Sequence, residues 1–161
     1  MITIDQILSR ESSSRRDGSG INSSDLNGVW LLMKNWTKDG ALPPPGTSPL
    51  LRLIGAQLQL QTKDNILKIC NQVNLGGLKL RFEGQAELKG SRPLLLFHFS
   101  TLLLSIGAIT LVTKELPEPS AGRTPFFALI ELKHQDGIDW LAARGRGGGV
   151  ALWKRLENTG Q

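Results

Sequence analysis

Between Leu78 and Lys89 the chain alternates without a break. Leu78, Leu80, Phe82, Gly84, Ala86 and Leu88 fall on one side, and Lys79, Arg81, Glu83, Gln85, Glu87 and Lys89 on the other. Period two over this length predicts an antiparallel strand with one dry and one wet face. Gly84 predicts a bend within it. Shorter runs predict further strands. They are Val29–Trp36, a mostly strand-like stretch from Leu50 with Gln57–Gln61 alternating, Ile66–Val73, Leu94–Phe99, Thr101–Val112, Phe126–Lys133, Ile138–Ala143 and Val150–Arg155. The two central runs meet near Ser100. Roughly eight strands result, enough for a small antiparallel barrel whose interior holds side chains or one ligand.

The segments between the strands carry turn chemistry. Leu42–Pro49 is too rich in proline to join a sheet, since proline has no N–H. It reads as a stiff loop rimming a barrel mouth, with a proline-rich ligand for a recognition domain as the alternative. Pro117, Pro119 and Gly122 mark another loop. At the start, Ile4–Leu8 predicts a short helix with Thr3 as N-cap and Asp5 in the first turn. Arg10–Ser24 is polar and rich in serine and glycine, which predicts a flexible arm. The chain therefore divides into a helix and arm over 1–24, a barrel domain over 25–156 and a tail over 157–161.

Pro93–Val112 has about the length a membrane-crossing helix needs. His98, Ser100, Thr101, Ser105 and Thr110 interrupt it and Gly107 weakens a helix, so two buried strands are the better reading. The start lacks the basic region and apolar run of a secretory signal.

Lysine and arginine number 19 against 14 acidic residues, a net charge of +5, which attracts anionic surfaces such as lipid head groups or nucleic acid. The single cysteine, Cys70, excludes an intramolecular disulfide and fits a reducing compartment. Next to Ile69 it reads as a small buried hydrophobe. Catalytic signatures are lacking. His98 and His134 stand apart, with no metal-ligand spacing, nucleophile elbow, phosphate loop or dinucleotide fingerprint. The expectation is a protein that is not an enzyme and carries no metal or resident cofactor.

The end of the chain, Gly137–Arg155, places Arg144-Gly145-Arg146-Gly147-Gly148-Gly149 between two apolar runs. One such element wedged between strands predicts a closing hairpin rather than an RNA-binding tail. Trp30 and Trp153 fall on the first and last strands, which are neighbours if the barrel closes.

Leu26-Asn27-Gly28-Val29-Trp30-Leu31-Leu32 resembles the opening-strand signature of the plastid lipid-associated proteins, the fibrillins, and contains the G-x-W of lipocalins. Ala56-Gln57 through Cys70-Asn71-Gln72-Val73 is similar to that family's next strands. Gly84–Leu88 to Arg92 with Phe97-His98-Phe99 resembles its next hairpin, and Asp139–Arg155 its closing one. The likeness spans most of residues 25–155. It departs at Trp140-Leu141-Ala142-Ala143 and Gly137-Ile138-Asp139, and the short N-terminus resembles that of cyanobacterial members.

The resemblance implies an all-β, lipocalin-like barrel of about eight strands. It implies binding of a small hydrophobic molecule (a carotenoid, quinone, other isoprenoid or lipid) and peripheral association with the cytoplasmic side of anionic thylakoid membranes. Inward alternation then nominates Leu58, Leu60, Ile69, Leu80, Phe82, Phe97, Phe99 and Phe127 as ligand-lining, Trp36 and Trp140 as rim contacts, and Arg144 and Arg146 as head-group contacts. Three alternatives stay open: a chromophore-binding barrel like the bilin lyases, an interaction module on a photosynthetic protein complex, and, less favoured, nucleic-acid binding.

Overall fold

The computed structural model describes residues 1–42 and 57–157. Among these residues there are nine strands: β1 (Gly28–Trp36), β2 (Gln57–Lys63), β3 (Ile66–Leu75), β4 (Leu78–Lys89), β5 (Leu94–Ile106), β6 (Ile109–Glu115), β7 (Phe126–Gln135), β8 (Ile138–Gly145) and β9 (Val150–Arg155). They form one antiparallel sheet in the order β4-β3-β2-β1-β9-β8-β7-β5-β6, and a β4–β5 pairing closes it into a ring. The first and last strands are neighbours, as expected, with Leu32 opposite Trp153. The proline-rich stretch 43–49, residues 50–56 and the last four residues lie outside the described part, so the loop reading and most of the tail do as well.

The ring is not uniform. β5 pairs with β4 along its whole length, but with β7 only from Leu94 to Leu96. From Thr101 onward it pairs with β6 instead, which pairs with no other strand among the described residues. β6 is thus outside the ring, and β3 to β6 extend beyond it as a four-stranded flap. The Pro93–Val112 stretch is consequently strand, and no helix among the described residues is long and apolar enough to cross a membrane. Its two strands turn at Gly107-Ala108, not at Ser100. Gly107 takes φ 56°, where a side chain is disfavoured. Ser100 is instead the extra residue of a bulge, because Glu83 faces Thr101 while the next residue, Gly84, faces Phe99.

One end of the ring is plugged. A 3₁₀ turn, Ser23–Leu26, places Leu26 beneath Trp30, whose indole N–H donates to the Leu26 carbonyl at 2.8 Å. The Arg155 guanidinium lies 4.5 Å from the Trp30 ring centre and donates to the Asp25 carbonyl. Trp30, Leu58, Leu60, Ile69, Phe97, Phe127, Leu129, Leu141 and Trp153 form the core inside this end.

A second apolar layer lies outside the ring. Ile2, Ile7, Trp36, Ile130, Ala142, Val150 and Leu152 pack together there under helix α1 (Ile4–Asp17). The helix begins as expected, with Thr3 capping it and Gln6 completing a capping box. It does not stop at Leu8, however, and much of the presumed flexible arm is helical. Ile7, Glu11 and Ser14 recur at helical spacing and are buried. The middle residue of this stripe is charged, so composition alone disguised it. Ile21, beyond the helix, is buried in the ring core.

Candidate functional site

Alternation within each strand puts one row of side chains inside the ring, and cross-strand pairing shows how far that row continues. Leu67 faces Ala86, Asn71 faces Phe82, and Val73 faces Leu80. Across the next pairing Phe82 faces Leu102 and Leu80 faces Leu104. The Ser100 bulge keeps Leu102 and Leu104 on the inner face, where strict alternation from Phe99 would have turned them out. The inner surface therefore runs from the plugged core into the flap, and Val73, Leu80, Phe82, Leu102 and Leu104 are only half-buried there.

A file of aromatic rings joins the two regions. Phe82 and Phe99 have centroids 5.6 Å apart, Phe99 and Phe97 also 5.6 Å, Phe97 and Phe127 5.2 Å, and Phe127 and Trp153 5.3 Å. These separations suit tilted, stacked and edge contacts. At the inner end of the file the Trp153 indole N–H is buried and has no hydrogen-bond partner among the described residues. Such an orphan donor is uncommon inside a fold.

The ligand-lining candidates accordingly come together. Leu58, Leu60, Ile69, Phe97 and Phe127 are buried in the core, Phe99 packs against it, and Leu80 and Phe82 continue it outward. The rim candidates do not join them. Met33 is a bulge residue in β1, since Leu32 faces Trp153 but Lys34 faces Leu152, and this reverses the phase of the strand. Trp36, which unbroken alternation places inside with Trp30, is instead in the outer layer under α1. Trp140 is also on the outer face, bordering a groove of about 300 Å³ with Ile2, Met33, Ile138 and Leu152.

The two arginines of the closing hairpin are committed to the protein itself. Arg144 grips Glu11 of α1 with two hydrogen bonds, Nε to Oε1 at 2.7 Å and Nη2 to Oε2 at 2.6 Å, and its third arm donates to the Gly148 carbonyl. Arg92 and Arg15 reach the same carboxylate at 3.0 and 3.2 Å. The hydrogen bonds from Arg144 hold the Glu11 carboxyl below its usual range despite the opposing effect of burial. Arg146 donates to the carbonyls of Thr124 and Gly122 in the loop before β7. Arg144 is thus engaged within the fold, whereas Arg146 stays exposed; the hairpin clasps α1 on one side and that loop on the other.

Other chemistry is sparse. Burial pushes the Cys70 thiol up, which disfavours the thiolate. His134 Nδ1 lies 2.7 Å from Asp139 across the β7–β8 turn and is otherwise exposed. No group of three metal-ligating side chains occurs among the described residues.

The class defined by these features is an antiparallel sheet closed into a ring, plugged at one end and apolar inside. No family model, curated protein or solved structure matches the chain.

Proposed function

We propose that this protein is a non-catalytic carrier of a small hydrophobic molecule, held on the inner face where the plugged core opens into the flap. The observation that carries this reading is the aromatic file from half-buried Phe82 to fully buried Trp153. A flat or conjugated hydrocarbon stacks on such a surface without losing hydrogen bonds, and Val73, Leu80, Leu102 and Leu104 supply aliphatic walls beside it. An isoprenoid quinone or a carotenoid suits this surface, since its conjugated part can lie along Phe82 and Phe99. The resemblance to the fibrillins points to the same ligands and to the periphery of a photosynthetic membrane.

The test is to purify the protein from a pigment-containing host and extract it for mass spectrometry and absorbance. A stoichiometric isoprenoid, reduced in Phe82→Ala and Phe99→Ala, is the expected result. A protein that emerges empty and takes up neither carotenoid nor quinone on titration overturns the carrier reading.

A further inference from the structure

The flap ends in two hairpin tips side by side, the β3–β4 turn at Gly76-Gly77 and the β5–β6 turn at Gly107-Ala108. One cross-strand row crowns them: Leu75 faces Leu78, Leu78 faces Ile106, and Ile106 faces Ile109. These four aliphatic side chains are 62, 38, 48 and 67% exposed, and Leu111 and Val112 beside them are exposed as well. A contiguous apolar surface of this kind on a small domain marks a contact site.

The charges around it specify the contact. Over residues 72–83 and 101–115 the basic residues are Lys79, Arg81 and Lys114, and the two acids, Glu83 and Glu115, are set back from the tips, facing Thr101 from either side. Arg81 is paired with Glu83 at 2.6 Å, whereas Lys79 and Lys114 make no ion pair among the described residues. Lys79 follows Leu78 directly, and Lys114 faces Leu102, behind the aliphatic crown.

From this arrangement we infer that the paired hairpin tips dock on an anionic lipid bilayer, with Leu75, Leu78, Ile106 and Ile109 entering the head-group boundary and Lys79 and Lys114 meeting lipid phosphates. Three physical points converge on a bilayer. Hairpin backbones are largely hydrogen-bonded within the sheet, so the tips bring few unpaired polar groups into the apolar phase. Apolar burial and attraction to anionic lipid add in interfacial binding. A second copy docked face to face would set the same lysines against each other. The inference deepens the carrier reading, on which it rests only for the direction in which cargo leaves: the inner face bearing Phe82 is continuous with the crown.

The experiment is co-sedimentation with vesicles of phosphatidylcholine alone or mixed with phosphatidylglycerol. Binding is expected on the mixed vesicles and is expected to weaken with salt. Ile106→Ser/Ile109→Ser and Lys79→Glu/Lys114→Glu are each expected to lower it about tenfold or more, since both burial and charge contribute. A fluorophore on Ile109→Cys is expected to shift to the blue on binding, while one on Ser12→Cys, on α1, does not. Equal binding to neutral and anionic vesicles, unaltered binding by both double variants, or a silent probe at position 109 overturns the inference. So does a dimer in sedimentation velocity that Ile106→Ser/Ile109→Ser disperses.

Failures of the two readings are distinguishable. Cargo recovered without vesicle binding removes the docking inference alone. Vesicle binding by a protein that takes up no cargo removes the carrier reading alone.

Discussion

At the plugged end of the ring, Trp30, Leu60 and Trp153 are almost inaccessible to solvent, whereas at the flap end Leu75, Leu78, Ile106 and Ile109 stand exposed on the same face of the same sheet. The strands at both ends show similar residue types and the same alternation. What differs is the opposite wall. Near the plug, β1, β9, β8 and β7 face β2 to β5 and the 3₁₀ turn fills the bottom. At the flap, β5 has exchanged β7 for β6, so the apolar row continues without a facing sheet. Alternation therefore decides which side chains share a face, and closure decides whether that face is dry.

Substitutions can break this comparison at its seam, at its closed end or at its open end. The largest effect is expected at the seam. A Cβ on Gly84 would lie 1.8 Å from the His98 carbonyl oxygen, so Gly84→Ala must displace backbone at the bulge that keeps the two halves in register. A loss of about 4 kcal/mol or more is expected in urea unfolding, at the upper end of single substitutions. At the closed end, Trp153→Ala removes a buried indole and is expected to cost about 3–5 kcal/mol. Leu80→Ala, at a half-buried position of the flap, should cost clearly less in the same assay. Similar losses at both positions would mean that the flap is packed as tightly as the plug.

The outer clasp gives an intermediate effect with a pH signature. Glu11 is ionised in the folded protein below its usual carboxyl range, so its contribution is fully present above the unfolded value. It is lost as pH falls through the lower, folded one. Glu11→Gln is expected to cost about 2 kcal/mol at neutral pH, because a buried carboxylate bonded to Arg144 is replaced by a neutral amide. Thermal melts from pH 7 down to pH 3 should show a smaller acid-induced loss in the variant than in the wild type. An unchanged slope would mean that Glu11 does not hold the helix. The smallest effect belongs to the open end, where Ile106→Thr/Ile109→Thr is expected to change stability by only about 0.5 kcal/mol. A large loss there would show that the crown is already covered in solution.

Much of this architecture was legible along the chain. The alternation of Leu78–Lys89 reads directly as β4, and Trp30 and Trp153 announce the closing pair. Six of the eight nominated lining residues are in the core or packed against it, and Leu80 and Phe82 extend their face. Two misplacements, of Trp36 and of the break at Ser100, have a common cause in single extra residues. Met33 and Ser100 each insert one residue into a strand, and each insertion reverses the phase of everything after it. Trp36 is thereby sent outside, and Leu102 and Leu104 are kept inside. A bulge leaves no mark in a hydrophobic pattern unless a glycine such as Gly84 accompanies it. The helix was cut short for a different reason: Glu11 occupies a buried position made tolerable chiefly by arginines distant in sequence, Arg92 and, 133 residues away, Arg144.

The sequence by itself determined the strand-forming segments, most of the turns at their ends, the basic balance and the apolar character of one face, because period, glycine, proline and charge act locally. The tertiary structure decided where the ring closes, which tryptophans lie inside it, that α1 is clasped by the arginine hairpin, and that the flap is left uncovered. Those outcomes depend on which strand a given edge meets and on partners distant in the chain. No local pattern carries that information.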